Sequence, residues 1–357
     1  MVLFFHGFGN RFTGTGLSFS ARSFVAATAY GWTGVNLFFV LSGFLITGIL
    51  LDSKESSRYY SRFYYRRAVR ILPAYYGILF LVLVLVQTGT IDRPVSWQFL
   101  GASAIYLANI APLFGISAQY GVLWSLAVEE HFYLPWPLFI RKLQIRGVTV
   151  LATTICLLAL GFRVAAFATG HNPLDHYTWL VADGLAMGCL LAIAVRSFRQ
   201  DRQSLQAIAA AALLVPCLSY LIDRALGHAF AGGALHITGF NSFFLGLLAI
   251  SLLLGSRFDI RSQALEFFGR ISYGLYLVHL LCFDLYDHFC SRYFPSAENA
   301  SGHFGLMAVR FGLSATLAIA IATLSRRYFE EPFLRLKDRI SADPTTNQEP
   351  ELVVSTS

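Results

Sequence analysis

Long apolar runs, each about the length of one membrane crossing, recur along the chain with short polar stretches between them. A spanning helix needs about 20 predominantly apolar residues. Nine runs meet that requirement: 33–51, 71–88, 123–140, 148–168, 178–195, 206–222, 239–255, 267–290 and 304–324. The run 97–114 is apolar but interrupted by Asn109 and Pro112, which predicts a re-entrant or buried half-helix. Broken backbone of that kind is tolerated at membrane depth only inside protein. Met1–Phe8 is apolar yet far too short to cross, and reads as the second half of a helix whose first half is missing. The pattern predicts an all-α fold, a polytopic membrane helix bundle of about ten transmembrane helices with the first one truncated. The membrane domain occupies 1–338, and the polar tail 339–357, with Pro344 and Pro350, reads as disordered.

Composition agrees. Hydrophobic residues make up 56% of the 357 positions and charged residues 13%, against about 45–50% and about 25% in soluble domains. This excludes a disordered chain, a disulfide scaffold and an ordinary soluble enzyme. The five cysteines form no C-x-x-C pair, so neither a zinc site nor a disulfide framework is expected, and no metal site is predicted. The net charge of +7 would suggest nucleic acid, but its distribution argues otherwise. Twenty of the 27 Lys and Arg fall in alternate loops on one side, led by six in 52–70; six fall on the other side, and Arg163 lies within a span. The positive-inside rule puts the rich side, and with it both termini, in the cytoplasm. The chain therefore reads as an integral membrane protein, in contact with lipid and with no nucleic-acid partner.

Ionisable and polar residues inside spans are costly and are candidate sites by default. His6, in Phe4-Phe5-His6-Gly7, has the side chain best suited to take a proton from a hydroxyl near neutral pH. A helix-end histidine hydrogen-bonded at the interface is the competing reading. Ser125, Glu129 and Tyr133, in Trp124–Tyr133, recur at four-residue steps and share one helix face. One carboxylate at a helix start is explained by the dipole, whereas Glu129, Glu130 and His131 together exceed what capping needs. Arg58, Arg62, Arg66 and Arg70 form a stripe with Arg67 beside it. Guanidinium groups bind phosphate in a two-pronged fashion, so the stripe suits either anionic lipid headgroups or a phosphorylated cytoplasmic ligand. Pro73 is expected to end or kink this segment. Asn36 needs a partner at membrane depth, and Ser42 and Gly43 allow close helix approach. Asp183 is either part of a site or paired with Arg163, and His279 is a second intramembrane histidine.

Gly34–Ile46, Arg67-x-x-Arg70-Ile71-x-Pro73, Trp124–Tyr133, Ser272–His279 and Glu330-x-Pro332 occur in an order and spacing that resembles the acyltransferase 3 family. These are integral membrane O-acyltransferases, many of which modify O-antigens, Nod factors and other glycans. The resemblance covers about residues 1–333. It implies ten helices in the cytoplasmic (inner) membrane of a bacterium and transfer of an acyl group, acetyl before any other, from cytoplasmic acyl-CoA to a hydroxyl of a glycan or lipid-linked acceptor. Acyl-CoA is then a co-substrate, and no permanently bound cofactor is expected. The family's residues carry over as His6 and Glu129 for catalysis and Arg66, Arg67 and Arg70 for the acyl-CoA phosphates. Asn36, Ser42, Trp124, Asp183 and His279 are candidates for the substrate path. The sequence departs from the family where Asn36 stands for a frequent Asp and His131 for a frequent Gln. A transporter or exporter of a lipid-linked glycan is the alternative function, since intramembrane His, Asp and Glu suit it as well.

Overall fold

The computed structural model describes residues 1–9, 17–172, 176–197, 201–225, 234–255, 262–294 and 303–335. In chain order the helices are α1 Val2–Phe4, α2 Phe19–Ala29, α3 Gly34–Asp52, α4 Tyr59–Gln87, α5 Trp97–Ala104, α6 Leu123–Tyr133, α7 Trp136–Lys142, α8 Ile145–Ala168, α9 Thr178–Val181, α10 Asp183–Ser197, α11 Arg202–Ala225, α12 Ala234–Leu254, α13 Gln263–Tyr293 and α14 Phe304–Leu324. No strand occurs among the described residues. The expected tail at 339–357 lies outside them.

Among the described residues, six stretches are long and apolar enough to cross a membrane: Phe19–Asp52, Tyr59–Gln87, Ile145–Ala168, Arg202–Ile222, Ala234–Leu254 and Phe304–Arg335. The other expected passes differ for identifiable reasons. The run 123–140 is two helices, α6 and α7, parted at Leu134 and Pro135, because a proline within a helix removes a donor and crowds the preceding turn. The run 178–195 is parted at Ala182, just before Asp183. Helix α13 is a single helix of 31 residues, but Asp284, Asp287 and Arg270 interrupt its apolar character. Large side chains such as Phe80, Leu157, Leu214 and Leu313 are exposed on the outer faces of the spans, as a lipid-facing surface requires.

Pro73 does not end its segment. Helix α4 runs through it as one element from Tyr59 to Gln87. Neighbouring groups can satisfy the backbone that such a proline frees. Pro216 in α11 shows how: the carbonyl four residues earlier, on Ala212, accepts the Ser242 hydroxyl of α12 at 2.9 Å. The expected half-helix at 97–114 is the short α5, followed by turns in which Tyr106 takes φ +58°. Asn109 then ties the segment to Thr178 at 2.9 Å.

Among the described residues, the most extensive contact between two helices is that of α3 with α10. A Cβ on Gly43 would collide with the Leu185 carbonyl, and one on Gly188 with the Val40 carbonyl. Glycines at both positions bring the two backbones into direct contact, the packing that small residues permit in membranes. A second core, built from α4, the 97–123 segment and α13, buries Tyr75, Phe99, Tyr120, Leu123 and Leu277. Helix α6 lies between the two cores, with Leu123 and Leu126 in one and Val128 and Phe132 in the other.

Candidate active site

Helix α6 carries Ser125, Glu129 and Tyr133 on one buried face, as the four-residue spacing requires. Opposite them, Arg67 projects from α4. Its guanidinium donates to Glu130 Oε1 from Nε at 3.0 Å and from Nη2 at 2.8 Å. The same Nη2 lies 3.6 Å from Glu129 Oε2. The guanidinium carbon sits 3.6 Å from the Tyr133 ring centroid, a cation–π contact. The Tyr133 hydroxyl forms a short hydrogen bond with Ser42 on α3. Glu129 is 3% exposed, and its Oε1 has no hydrogen-bond partner. Most buried polar atoms are paired, so this oxygen is available to a ligand or a proton.

One turn toward the start of α6, Ser125 Oγ lies 2.6 Å from the Tyr276 hydroxyl of α13. The Tyr276 carbonyl in turn lies 2.7 Å from His279 Nδ1. A carbonyl only accepts, so Nδ1 carries the hydrogen, and in the neutral ring Nε2 is the free acceptor. That Nε2 is buried without a hydrogen-bond partner. The His279 ring is 5.3 Å from the ring of His6. His6 occupies a π-helical turn, Phe5–Gly9, a local widening often found at functional sites. The turn is held by Phe311 packed against Gly7 and by Arg310 Nη1, which reaches the His6 carbonyl at 3.5 Å.

A polar column thus runs through the apolar bundle, from His6 through His279, Tyr276 and Ser125 to Glu129 and Arg67. The sequence-predicted residues divide accordingly. His6, His279, Glu129, Arg67 and Ser42 belong to the column. Within it, the ring beside His6 is that of His279, and Glu129 faces Arg67. Arg66 is half-buried and Arg70 exposed on the same helix. Trp124 stacks on His176, with centroids 4.0 Å apart and 12° between planes. Asn36 donates to Asn241 Oδ1 at 2.7 Å, and Asn241 Nδ2 is left unpartnered. Asp183 stands apart in an ion pair with Arg163, each fully buried, at 2.7 Å between Nη2 and Oδ2. Thr238 also donates to Asp183, at 3.0 Å. Sequence reasoning missed Tyr276 as the link, and missed the paired charges beside His6. Arg93 grips Asp284 at 2.6 and 2.7 Å, and Arg310 grips Asp287 at 2.6 and 2.8 Å. The available signal was two carboxylates inside the long helix α13.

Comparison with known proteins places this geometry in context. The family described as "Acyltransferase domain" (acyltransferase 3) matches residues 1–325. YrhL of Bacillus subtilis (strain 168) is 30% identical over 282 residues, covering 70% of this chain and 44% of that protein. "O-acetyltransferase OatA" of Staphylococcus aureus (strain NCTC 8325 / PS 47) is 29% identical over 278 residues, covering 70% of this chain and 45% of the relative. "Peptidoglycan O-acetyltransferase OatA" of Listeria monocytogenes is 30% identical over 290 residues, covering 70% and 44%. The chain therefore spans less than half the length of these curated relatives. No solved structure matches it significantly.

Proposed function

We propose, because this chain belongs to the acyltransferase 3 family, that it is an integral membrane O-acyltransferase. It moves an acetyl group from cytoplasmic acetyl-CoA to a hydroxyl of a cell-wall glycan such as peptidoglycan. The observation that carries the reading is the buried polar column. It joins a histidine in a widened helical turn to an arginine–carboxylate cluster, across helices that are otherwise apolar. Glycan modification by OatA-type relatives supports the acceptor class, and nothing in the comparisons supports the transporter alternative.

In this reading the chain makes ten passes of the cytoplasmic membrane with both termini inside. The Arg58–Arg70 stripe lies at the cytoplasmic surface. Arg66 and Arg70 meet the phosphates of the donor, while Arg67, already held by Glu129 and Glu130, fixes the inner end of the donor site. His6 accepts the proton of the acceptor hydroxyl as it attacks the thioester carbonyl. The thiolate of CoA leaves and returns to the cytoplasm. His279, with its free Nε2 beside His6, and Tyr276 hold the ring environment in which that proton is taken up. Asn36, Ser42 and Trp124 line the way between the two ends.

The test uses membranes from cells expressing the full gene, given acetyl-labelled acetyl-CoA, with His6→Ala as control. Label is expected in a sugar-bearing product from the wild type and not from the variant. Label transfer unchanged in His6→Ala would overturn the assignment of the base.

A further inference from the structure

His6 does not sit in closed packing. It borders a half-open cavity of about 300 Å³, whose polar lining comes from Arg93, Gln119, Asp284 and Arg310 and whose apolar floor comes from Leu280 and Phe283. The cavity lies at the end of the polar column away from Arg67. Gly121, on its wall, lies two residues before α6, and Glu129 six residues into that helix, about 9 Å of helical rise from its start. Arg93 and Arg310 both fall in segments on the Lys/Arg-poor side of the chain.

The chemistry of the lining is specific. Each guanidinium forks onto one carboxylate, Arg93 on Asp284 and Arg310 on Asp287. The charges therefore cancel in pairs, and an anionic ligand would have to displace a two-pronged contact. The carboxylate oxygens of Asp284 keep lone pairs beyond those the guanidinium takes, so they accept hydrogen bonds from hydroxyl groups. Gln119 is fixed at both ends: its carbonyl accepts from Arg93 at 2.9 Å and its Oε1 from the Ser96 N–H at 2.5 Å. Its amide NH₂ end remains a donor. A neutral cavity with fixed acceptors and donors above an apolar floor suits a polyhydroxyl ring. A volume of about 300 Å³ is at the small end of ligand sites, the size of one sugar ring with its substituents.

We propose that this cavity binds one neutral sugar ring of the acceptor from the face opposite the arginine stripe, with Asp284 as the carboxylate that accepts its hydroxyl hydrogens and His6 at its edge. The proposal rests on the acyltransferase reading but is tested apart from it. The full chain, purified into nanodiscs, is treated with diethyl pyrocarbonate, and modification of His6 is followed by mass spectrometry. Methyl N-acetyl-β-glucosaminide is the neutral probe and inorganic phosphate the anionic one.

The neutral sugar is expected to slow modification of His6 in a saturable way, and phosphate is not. Asp284→Asn should raise the half-protecting concentration at least about tenfold, the loss expected from weakening one charge-assisted hydrogen bond. Gly121→Leu adds bulk at the cavity wall, where a Cβ has room, meeting nothing closer than Leu280 at 3.8 Å. It should abolish protection. Absence of saturable protection, equal protection by phosphate, unchanged protection in Gly121→Leu, or a His6 that the reagent never reaches would each overturn the proposal. Protection by sugar without acetyl transfer would refute the enzymatic reading alone; transfer without protection would refute the cavity alone.

Discussion

Replacing Asp183 by alanine leaves the Arg163 guanidinium buried without its carboxylate. Both side chains are 0% exposed, and the pair joins α8 to the start of α10. Removing one partner of a buried ion pair costs about 3–5 kcal/mol, because an uncompensated charge remains in a medium that cannot solvate it. Here the lower part of that range applies. Arg163 keeps three further acceptors: the Leu180 carbonyl, the Ala234 carbonyl at 3.0 Å and the Thr238 hydroxyl. A loss near 3 kcal/mol lowers the folded-to-unfolded ratio by about two orders of magnitude. The double variant Arg163→Met/Asp183→Ala removes the stranded charge. It also deprives the Leu180 carbonyl of its donor, a cost of about 1–3 kcal/mol, so recovery is partial. It should be more stable than Asp183→Ala by about 1–2 kcal/mol, the strong non-additivity of contacting residues. Equilibrium unfolding in mixed micelles, followed by tryptophan fluorescence, measures all members of the cycle. Additive losses would refute the account of the pair. A folded double variant with no transfer activity would return Asp183 to the substrate path.

Four further substitutions probe the column and the helix contacts. His6→Ala should lower turnover by about 10²–10⁴-fold, the usual contribution of a positioned acid–base group, read from initial rates of acetyl transfer. Arg70→Ala, on an exposed position of α4, should raise the acetyl-CoA KM more than it lowers kcat; an unchanged KM would mean that the stripe contacts lipid only. Gly188→Val should destabilise the bundle by about 1–3 kcal/mol through overpacking, since any Cβ there meets the Val40 carbonyl of α3, and thermal unfolding should show it. Ser242→Ala leaves the Ala212 carbonyl freed by Pro216 without its 2.9 Å donor and should cost about 1–3 kcal/mol by the same unfolding measurement.

The sequence made the long apolar helices plain. The expected 33–51, 148–168 and 304–324 lie within or against α3, α8 and α14 to within a few residues, because hydropathy and length alone decide such elements. It was less informative where local chemistry interrupts a run. Pro135 and Asp183 each divide an apolar stretch that a hydropathy window averages over. Pro73 does not end its helix, since a proline inside a packed membrane helix can have its freed backbone satisfied by neighbours. For the site, the four-residue spacing of Ser125, Glu129 and Tyr133 was enough to put them on one face. Arg67 follows the Arg66 position by one residue, about 100° around the helix, and so turns away from the stripe toward Glu130. Which carboxylate it would meet depended on how α4 and α6 pack, and that is not written locally. The pairs Arg93–Asp284 and Asn36–Asn241 join residues 191 and 205 positions apart, beyond the reach of any motif.

In the proposed reaction a donor on one side of the membrane gives its acetyl group to a sugar hydroxyl whose proton His6 takes up. Sealed inverted vesicles from cells expressing the full gene, with acetyl-labelled acetyl-CoA added outside, provide the test. Label is expected in a sugar-bearing product enclosed within the vesicles, reduced at least about 10²-fold in His6→Ala. Product formed at the same rate with the variant, or label taken up only as free acetyl-CoA or acetate, would contradict it.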